Sequence, residues 1–365
     1  MPHFAVALAF LTVLGSVGAA EPEPMRLFQS GCDGYPRYRI PSLVVTPGGV
    51  VLAICEGRKG GRGLLGDIDL VVRASRDSGK TWSPLQVFAD EGEHTLGNPC
   101  AVVDQMTKDV WVAFTRSKGS DTEEGIVAGT SDERTRVRVT KSSDGGATWS
   151  APDDITATAK DPSWTWYGTG PGVGIQLKSG RLVVPSYHVK EKASVYRSHM
   201  VYSDDHGRTW RRGDPVGEHS SECHVAECGD GTLVLNARTT EGPERRTIAR
   251  STDGGETWSA AAKDENLYDP HCEACLFALP PLNNELRWLF THPAGPGRRN
   301  MTVRLSRDEG KSWPVARKLL DGDSQYSCLA LLPDGSIGCL LDRWESGNYQ
   351  LDFVRFTREW LEAKP

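Results

Sequence analysis

The sequence predicts an all-β fold, specifically a six-bladed β-propeller with Asp-box turns. Three observations lead to this class: one octapeptide motif occurs five times, segments rich in β-branched residues flank the copies, and no long amphipathic helix is evident. The copies begin 67, 61, 48 and 55 residues apart, a spacing that fits one four-stranded blade with its loops. Five blades with the motif and one degenerate blade would make a ring of six.

The repeated motif reads Ser-x-Asp-x-Gly-x-Thr-Trp, with Ser312 in place of Thr in the last copy. Its carboxylate can accept hydrogen bonds from amides of the turn, its Gly allows a positive φ, and its Trp can pack back on the blade. We interpret the motif as a structural hairpin turn with no catalytic part. The copies are Ser75–Trp82, Ser142–Trp149, Ser203–Trp210, Ser251–Trp258 and Ser306–Trp313.

Strand-like segments fill the intervals between the motifs. Apolar and β-branched residues with Gly-containing turns occur in SLVVTPGGVVLAICEGR, RLVVPSYH, GTLVLNAR and SCLALLPDGSIGCLLD. The C-terminal segment YQLDFVRF is expected to close the ring beside N-terminal residues. No Pro-, Gly- or Ser-rich linker long enough to separate two domains interrupts residues 21–365, so we predict one propeller domain over that range.

The first twenty residues, MPHFAVALAFLTVLGSVGAA, have the features of a signal peptide. They form one apolar run that ends in small residues, with Gly18 and Ala20 placed as in a signal-peptidase site. We predict a signal peptide over residues 1–20 and a secreted or periplasmic protein. A membrane-retained anchor is the alternative, because His3 is the only basic side chain before the apolar run. No later apolar stretch approaches the roughly 18 residues of a membrane helix, so no membrane span is expected in the mature chain.

Charge and cysteine content narrow the classes of partner. The formal net charge is -6 with both signs interspersed, which offers no polycationic face to nucleic acid. Nine cysteines in an exported chain permit disulfides, but the odd number leaves at least one thiol unpaired. The CxxC at Cys272 and Cys275 has no second pair at the spacing of a structural zinc module. We therefore predict no nucleic acid, no metal, no cofactor and a monomeric chain.

Five further motifs follow each other in an order that is more specific than the Asp boxes. They are YRIPS with Arg39, CEGR with Arg58, GPGVGIQLKSGRLVVP, ECHVAECGDGTLVLNAR with Arg238, and YSCLALLPDGSIG. On these motifs the chain resembles the exo-alpha-sialidase (neuraminidase) family of the bacterial and animal type, over residues 33–357. The resemblance implies hydrolysis of terminal α-linked sialic acids from glycoproteins, glycolipids or oligosaccharides, with retention of configuration.

The resemblance places substrate binding on a set of arginines. It implies that Arg39, Arg238 and Arg304 grip the carboxylate of the sugar, and that Asp342 orients the first of them. The chemistry is consistent, because planar guanidinium groups bind carboxylates through paired, charge-assisted hydrogen bonds. Arg58, at the end of the CEGR strand, is a further predicted substrate-binding residue.

The resemblance also implies an unusual nucleophile, Tyr326, with Glu222 as its base partner. A sialic acid carries its carboxylate on the anomeric carbon, so an anionic Asp or Glu would meet like-charge repulsion there, whereas a neutral Tyr would not. An unperturbed Tyr with a pKa near ~10 is only about 0.1% phenolate at neutral pH, so a base must accept its proton.

The general acid is the point where the sequence departs from the family pattern. Counting back nine residues from Arg73, where the family has an acidic residue, gives Leu64. Asp67 is the tentative acid, if the loop KGGRGLLG is reshaped to bring it to the glycosidic oxygen. Alternatively the enzyme works without an acid and is about 10²–10⁴-fold slower on poor leaving groups. In the third reading the chain keeps binding and has weak or no hydrolysis, as a carbohydrate-binding protein.

The specificity for the rest of the sugar stays open at this stage. Trp164, Trp166 and Tyr167 could line the glycerol or N-acyl side of the substrate, or could belong to the core. Another 2-keto sugar acid, such as a deaminated sialic acid, would fit the same arginines, so a hydrolase of such a sugar is a further alternative.

Overall fold

The computed structural model describes residues 20–60, 63, 65–190, 195–282 and 285–363. The predicted signal peptide, apart from Ala20, and Leu64 lie outside the described residues. Within the described part, strands dominate, and the three helices are short, which confirms the predicted all-β class. Among these residues no helix is long and apolar enough to cross a membrane.

The strands follow one another in antiparallel groups. The first is β1 (Pro24–Phe28), followed by β2 (Arg37–Val45), β3 (Val51–Arg58), β4 (Ile68–Ser75) and β5 (Gln86–Ala89). Next come β6 (Thr95–Val103), β7 (Val110–Ser117), helix α1 (Glu123–Ala128), β8 (Arg136–Ser142), β9 (Asp153–Asp154) and helix α2 (Thr156–Ala159). The third group is β10 (Trp164–Thr169), β11 (Gly172–Val173), β12 (Ile175–Gln176), β13 (Leu182–Lys190), β14 (Tyr196–Ser203) and β15 (Arg211–Arg212).

The C-terminal half repeats the same pattern. One group is β16 (Ser220–Glu227), β17 (Leu233–Thr239), β18 (Arg245–Ser251) and β19 (Ala262–Tyr268). Another is β20 (Cys275–Leu282), β21 (Glu285–Gly295), β22 (Arg299–Ser306) and β23 (Val315–Asp323). The last is β24 (Ser327–Leu331), β25 (Ile337–Glu345), β26 (Asn348–Phe356) and helix α3 (Arg358–Glu362).

The sheets are arranged as in a propeller, and hydrogen bonding joins the described strands into five sheets. The prediction of six separate blades differs from this number because β2–β5 and β6–β9 belong to one nine-stranded sheet. Their direct connection is a single parallel pair, Ile68 with Thr95, between β4 and β6. Each of the other sheets has four or five strands.

The two ends of the chain meet in one sheet. Strand β1 pairs antiparallel with β26, with Pro24 opposite Val354 and Phe28 opposite Leu351. Arg26 reinforces this pairing because its Nε donates a hydrogen bond to Asp352 of β26. The predicted closure of the ring by the segment YQLDFVRF beside N-terminal residues is therefore confirmed.

Each Asp box folds through the same hydrogen bonds. In the first, the Ser75 hydroxyl donates to Asp77 and accepts from the Gly79 amide, while Asp77 accepts from the amide and the hydroxyl of Thr81. The Gly has φ +79°, a left-handed conformation that favours glycine. The aspartates of the other four boxes make the equivalent bonds: Asp144, Asp205, Asp253 and Asp308.

The Asp boxes also fill the space between neighbouring sheets. A Cβ atom on Gly79 would lie 2.4 Å from the ring of Phe353 in β26, and one on Gly207 would lie 2.2 Å from Trp111 in β7. Trp82 packs edge-on against the same Phe353, with ring centroids 5.0 Å apart. Trp82 was expected to pack on its own blade, but it contacts the adjacent sheet. The Asp boxes therefore also set the distance between neighbouring sheets.

The Asp boxes make the fold sensitive to acid. Hydrogen bonds from Thr148 lower the pKa of Asp144 to about 2, and although burial acts upward on Asp253, bonds from Thr257 lower its pKa to about 2 as well. The unfolded carboxylates titrate near ~3.9, so this stabilisation is complete above that pH and is lost as the pH falls toward 2. We expect the urea midpoint to fall between about pH 4 and pH 2.

The matched variant for this prediction carries Asp144→Ala and Asp253→Ala. It should be less stable than the parent at pH 7, and its urea midpoint should depend less on pH between 4 and 2. Equal pH dependence in the parent and the variant would show that other carboxylates control acid unfolding.

All nine cysteines have free thiols, and eight of them are buried while Cys32 is exposed. They pack among apolar side chains of the sheets, as Cys55 does in the large cluster that β2, β3 and β26 share. The eight buried thiols are part of the core.

Candidate active site

A cavity of about 450 Å³ opens where all five sheets converge. Its lining is rich in ionisable and aromatic side chains contributed by residues far apart in the chain. The charged members are Arg39, Glu56, Arg58, Glu123, Glu222, Arg238 and Arg298, and the aromatic ones are Trp166, Tyr167, Tyr187, Tyr196, His271 and Tyr326. Four arginines against three glutamates make this a locally basic site in an acidic chain.

Tyr326 and Glu222 meet in this cavity, as the sequence predicted. The Tyr326 hydroxyl donates a short hydrogen bond to Glu222 Oε1 and accepts one from Arg238 Nη1 at 3.2 Å. The same Arg238 nitrogen donates to Glu222 Oε2 at 2.7 Å. Phenol, carboxylate and guanidinium therefore form a closed triangle of hydrogen bonds.

The surroundings of Tyr326 favour the protonated form of its hydroxyl. Burial raises the pKa of Tyr326 well above its ordinary value, and the negative charge of Glu222 acts in the same direction. Arg238 and Arg39 oppose this shift because their positive charges favour the phenolate. The hydroxyl is therefore protonated at neutral pH, and Glu222 is the acceptor of its hydrogen bond.

Asp342 holds two parts of the site at once. One of its oxygens accepts from Arg39 Nε at 2.9 Å, and the other accepts from the Tyr326 amide at 2.6 Å. Asp342 is fully buried, so these bonds are shielded from water. The structure therefore brings Asp342 to the position predicted for it, against Arg39.

The backbone beside Arg39 is strained. Ile40 has φ +63°, a conformation that is a real outlier for a β-branched residue, and the register with β3 shifts between Arg39 and Ser42. Buried Arg39 Nη2 has no hydrogen-bond partner in the described part of the chain. The guanidinium lies between the rings of Tyr326 and Tyr349, 4.9 and 4.4 Å from their centroids. An anionic ligand in the cavity could satisfy this free nitrogen.

The structure does not bring Arg304 into the cavity, and Arg298 lines the cavity in its place. Arg304 Nε donates to His292 at 3.0 Å, and Arg304 does not line the cavity. The reason is its place on β22: Ser306, two residues later, opens an Asp box, whereas Arg298 directly precedes the other end of the strand. Six residues of extended chain span roughly 20 Å.

Arg298 is held in position by neighbours on two sides. Its Nη1 donates to Gln325 Oε1 at 3.0 Å, and its Nη2 donates to the carbonyl of His271. Arg298 has φ +60°, in the turn GPGRRN before β22. The signal that could have found it is the strand end: Arg39, Glu222 and Tyr326 also lie near strand starts, away from the Asp boxes.

Arg58 lines the cavity as predicted. It donates hydrogen bonds to Glu56, a second cavity residue that the sequence analysis missed. Glu56 accepts from Arg58 Nε at 2.8 Å and from Nη2 at 2.5 Å, and its other oxygen accepts from the Asn98 amide at 2.8 Å. Both residues belong to β3 at spacing i, i+2, which puts their side chains on the same face. Glu56 therefore accepts three hydrogen bonds from these two neighbours, Arg58 and Asn98.

The structure does not bring Asp67 into the cavity. Asp67 lies 3.4 Å from Lys59 Nζ, which also contacts Asp69 at 2.7 Å, and neither aspartate is a lining residue of the cavity. Asp69 is occupied further by the hydroxyl of Tyr35. Asp67, the tentative general acid, thus belongs to a salt-bridge cluster and not to the cavity lining.

The sequence left open whether Trp164, Trp166 and Tyr167 line the substrate site or belong to the core, and the structure separates them. Trp166 and Tyr167 line the cavity, whereas Trp164 stacks on His188 with ring centroids 3.5 Å apart, outside it. Glu123 and Tyr196, which the sequence analysis missed, face each other in the lining, where the Tyr196 hydroxyl donates to Glu123 at 3.0 Å. Within the described ranges, no group of three or more His, Cys, Asp or Glu side chains could hold a metal.

Comparison with known proteins identifies the family of this chain. A family model described as a BNR repeat-like domain matches residues 52–339. The chain is 34% identical to a sialidase of Micromonospora viridifaciens over 98% of its length, although it spans only 59% of that relative. It is also 32% identical to Sialidase-2 of Rattus norvegicus, with coverage of 88% of this chain and 92% of the relative.

A solved structure is similar over nearly the whole fold. The Hadza microbial sialidase Hz136 matches 93% of this chain and 69% of its own, with a TM-score of 0.85 and 29% sequence identity. The chain therefore belongs to the exo-alpha-sialidase family with BNR repeats.

Proposed function

We propose that the protein is an exo-sialidase that hydrolyses terminal α-linked sialic acids from glycoproteins, glycolipids or oligosaccharides. The observation that carries this proposal is the hydrogen-bonded triangle of Tyr326, Glu222 and Arg238 in a cavity that also holds Arg39 and Arg298. Family membership supports the same reaction class. Sialylated glycans are therefore the proposed substrates.

Arg39, Arg238 and Arg298 are the proposed anchors for the sugar carboxylate. Guanidinium groups offer paired donors that match the two oxygens of a carboxylate. Arg39 retains an unpartnered nitrogen, and Arg298 takes the part that the sequence analysis gave to Arg304. Arg58 and its partner Glu56 would contact the part of the sugar beyond the carboxylate.

The proposed reaction begins with the attack of Tyr326 on the anomeric carbon. As the new C–O bond forms, Glu222 accepts the hydroxyl proton, and the glycosidic C–O bond breaks with its electron pair leaving on the aglycone oxygen. Arg238 contacts both members of the pair and stabilises the charge shared between them. Water then attacks the glycosyl-tyrosine, and Tyr326 leaves with its proton restored from Glu222. The proton that the water loses neutralises the aglycone anion through the solvent, and two displacements at the same carbon retain the configuration.

This protein differs from the family pattern at the residue that would donate a proton to the leaving group. Leu64 stands at the usual position of the acid, and Asp67 pairs with Lys59 beside the cavity. We propose that no Asp at this loop donates the proton. Substrates with good leaving groups should then react far faster than ordinary glycosides.

An activated aryl sialoside and unactivated sialyl-lactose test this proposal. The protein should cleave the aryl substrate and should cleave the lactose substrate about 10²–10⁴-fold more slowly, because only the latter needs protonation. Asp67→Asn should change neither rate by more than about twofold. Loss of the lactose reaction alone in that variant would make Asp67 the acid and contradict our assignment.

A carbohydrate-binding protein without hydrolysis is the second candidate, and the departure at Leu64 favours it. In the same experiment, measurable binding of sialic acid without cleavage of either substrate would establish it. The binding residues are the same in both cases, so only the rate measurement separates the two functions. A sugar acid without the N-acyl group should be included among the ligands to test the alternative 2-keto sugars.

We further propose that residues 21–365 form one six-bladed propeller domain, secreted or periplasmic after cleavage of residues 1–20. The single parallel pair between β4 and β6 supports counting β2–β5 and β6–β9 as separate blades. N-terminal sequencing of the exported protein tests the cleavage, which should follow Ala20.

A further inference from the structure

Two buried ionisable residues beneath the cavity take no part in the mechanism above. His224 Nε2 and Glu273 Oε1 lie 3.0 Å apart, and their side chains are 1% and 2% exposed. His224 belongs to β16, and Glu273 precedes β20, so the pair joins two sheets. A charged pair at such depth is costly in desolvation and is weak evidence of a purely stabilising role, since apolar residues often serve stability as well or better.

Glu273 is connected to the segment of Tyr326, and His224 lies on the strand of Glu222. Glu273 Oε2 accepts from the amide of Ser327 at 2.9 Å, directly after Tyr326. His224 follows Glu222 by two residues on the same strand, β16. The pair therefore links the segment of the nucleophile to the strand of its base.

The imidazole has little room to move. A Cβ atom on Gly172 would lie 2.7 Å from Cε1 and Nε2 of His224, so only glycine allows β11 to approach the ring this closely. Burial opposes the imidazolium, but the neighbouring Cys275 and Glu273 raise the pKa of His224 to about 10. Burial raises the pKa of Glu273, and the neighbouring His224, 3.0 Å away, opposes that shift.

We propose that His224 and Glu273 are positioning residues that hold the Tyr326 hydroxyl against Glu222. Asp342 fixes the amide of Tyr326 from one side, and Glu273 fixes the next amide from the other. Two successive peptide groups are thereby clamped by two buried carboxylates. The kinetic part of the test rests on the proposed sialidase function, whereas the structural part does not.

The test uses His224→Gln, Glu273→Leu and the double variant His224→Gln/Glu273→Gln. His224→Gln leaves a buried carboxylate without its counter-charge, and Glu273→Leu leaves the Ser327 amide without an acceptor. The double variant restores a neutral pair, in which the amide at 273 can accept from Ser327 and donate to position 224. Rates are measured with the aryl sialoside.

We expect each single variant to lose at least about tenfold in kcat, with KM within about twofold, because misplacement of reacting groups by 1 Å can reduce rates about 10²-fold. The double variant should return to within about fivefold of the parent. Asp104→Asn is the control, since Asp104 is a fully buried partner of His206 at 2.7 Å, outside the cavity lining. It should lower the thermal midpoint and leave kcat unchanged.

Unchanged kcat in folded single variants, or a double variant as slow as the worse single, would overturn the proposal. Crystal structures of the parent and of His224→Gln supply a readout that needs no activity. The separation of the Tyr326 hydroxyl from Glu222 should increase by at least about 0.5 Å in the variant. If the parent cleaves no sialoside, the proposed function fails, and this distance alone decides the role of the pair.

Discussion

Replacement of Tyr326 with Phe should reduce kcat on the aryl sialoside by about 10³-fold or more, the scale expected when a nucleophile is removed. The variant loses the oxygen that we propose as the attacking atom, and Glu222 loses its hydrogen bond from that hydroxyl. The three arginines remain in the cavity, so the Kd of an unsaturated sialic acid analogue should change by less than about threefold. Initial rates and calorimetric titration measure the two effects.

Tyr35→Phe is the matched control for this prediction. Tyr35 also donates to a carboxylate, Asp69, but it does not line the cavity. The control should therefore lose stability at most and should keep the rate of the parent. Normal turnover by Tyr326→Phe would show that the assigned nucleophile is wrong.

Arg298→Ala should weaken the binding of a carboxylated sugar by about 10–100-fold, since hydrogen bonds to charged groups contribute about 1.5–3 kcal/mol each. Arg304→Ala, six residues away on the same segment, should change Kd by less than about threefold because Arg304 bonds to His292 outside the cavity. The sequence alone predicted the opposite assignment. Calorimetric titration with the sialic acid analogue compares the two variants directly.

The methyl ester of the same analogue shows how much of this loss in affinity depends on the negative charge of the carboxylate. It lacks the anionic carboxylate, so Arg298→Ala should affect its binding much less than the binding of the acid. Equal losses for acid and ester would mean that Arg298 shapes the cavity without binding the carboxylate. Weaker binding of the acid in Arg304→Ala alone would restore the assignment made from the sequence.

The all-β class and the central pair could be predicted because both rest on local patterns with fixed geometry. The Asp box specifies its own hydrogen bonds within eight residues, as Asp77 and Thr81 show. Tyr326 and Glu222 are 104 residues apart, yet the family motifs around them mark equivalent ends of strands. Placement at the same end of their sheets, around one cavity, brought them together.

The remaining site residues depend on features that the sequence does not display. Arg298 and Arg304 are both arginines on one short segment, and only the direction of β22 relative to its Asp box decides which reaches the cavity. Asp67 depends on the competition for its carboxylate by Lys59, a contact made through loop geometry. The number of sheets likewise depended on one pair of residues, Ile68 with Thr95.

The union of β1 with β26 has a consequence for how the protein is made. Arg26 and Asp352 are separated by 326 residues, so the ribosome must deliver almost the whole chain before the first strand finds its partner. Contacts of such long sequence separation form late and slow folding. Until then the nascent chain has an open ring and an unpaired edge strand, so the last strand to be synthesised completes the fold.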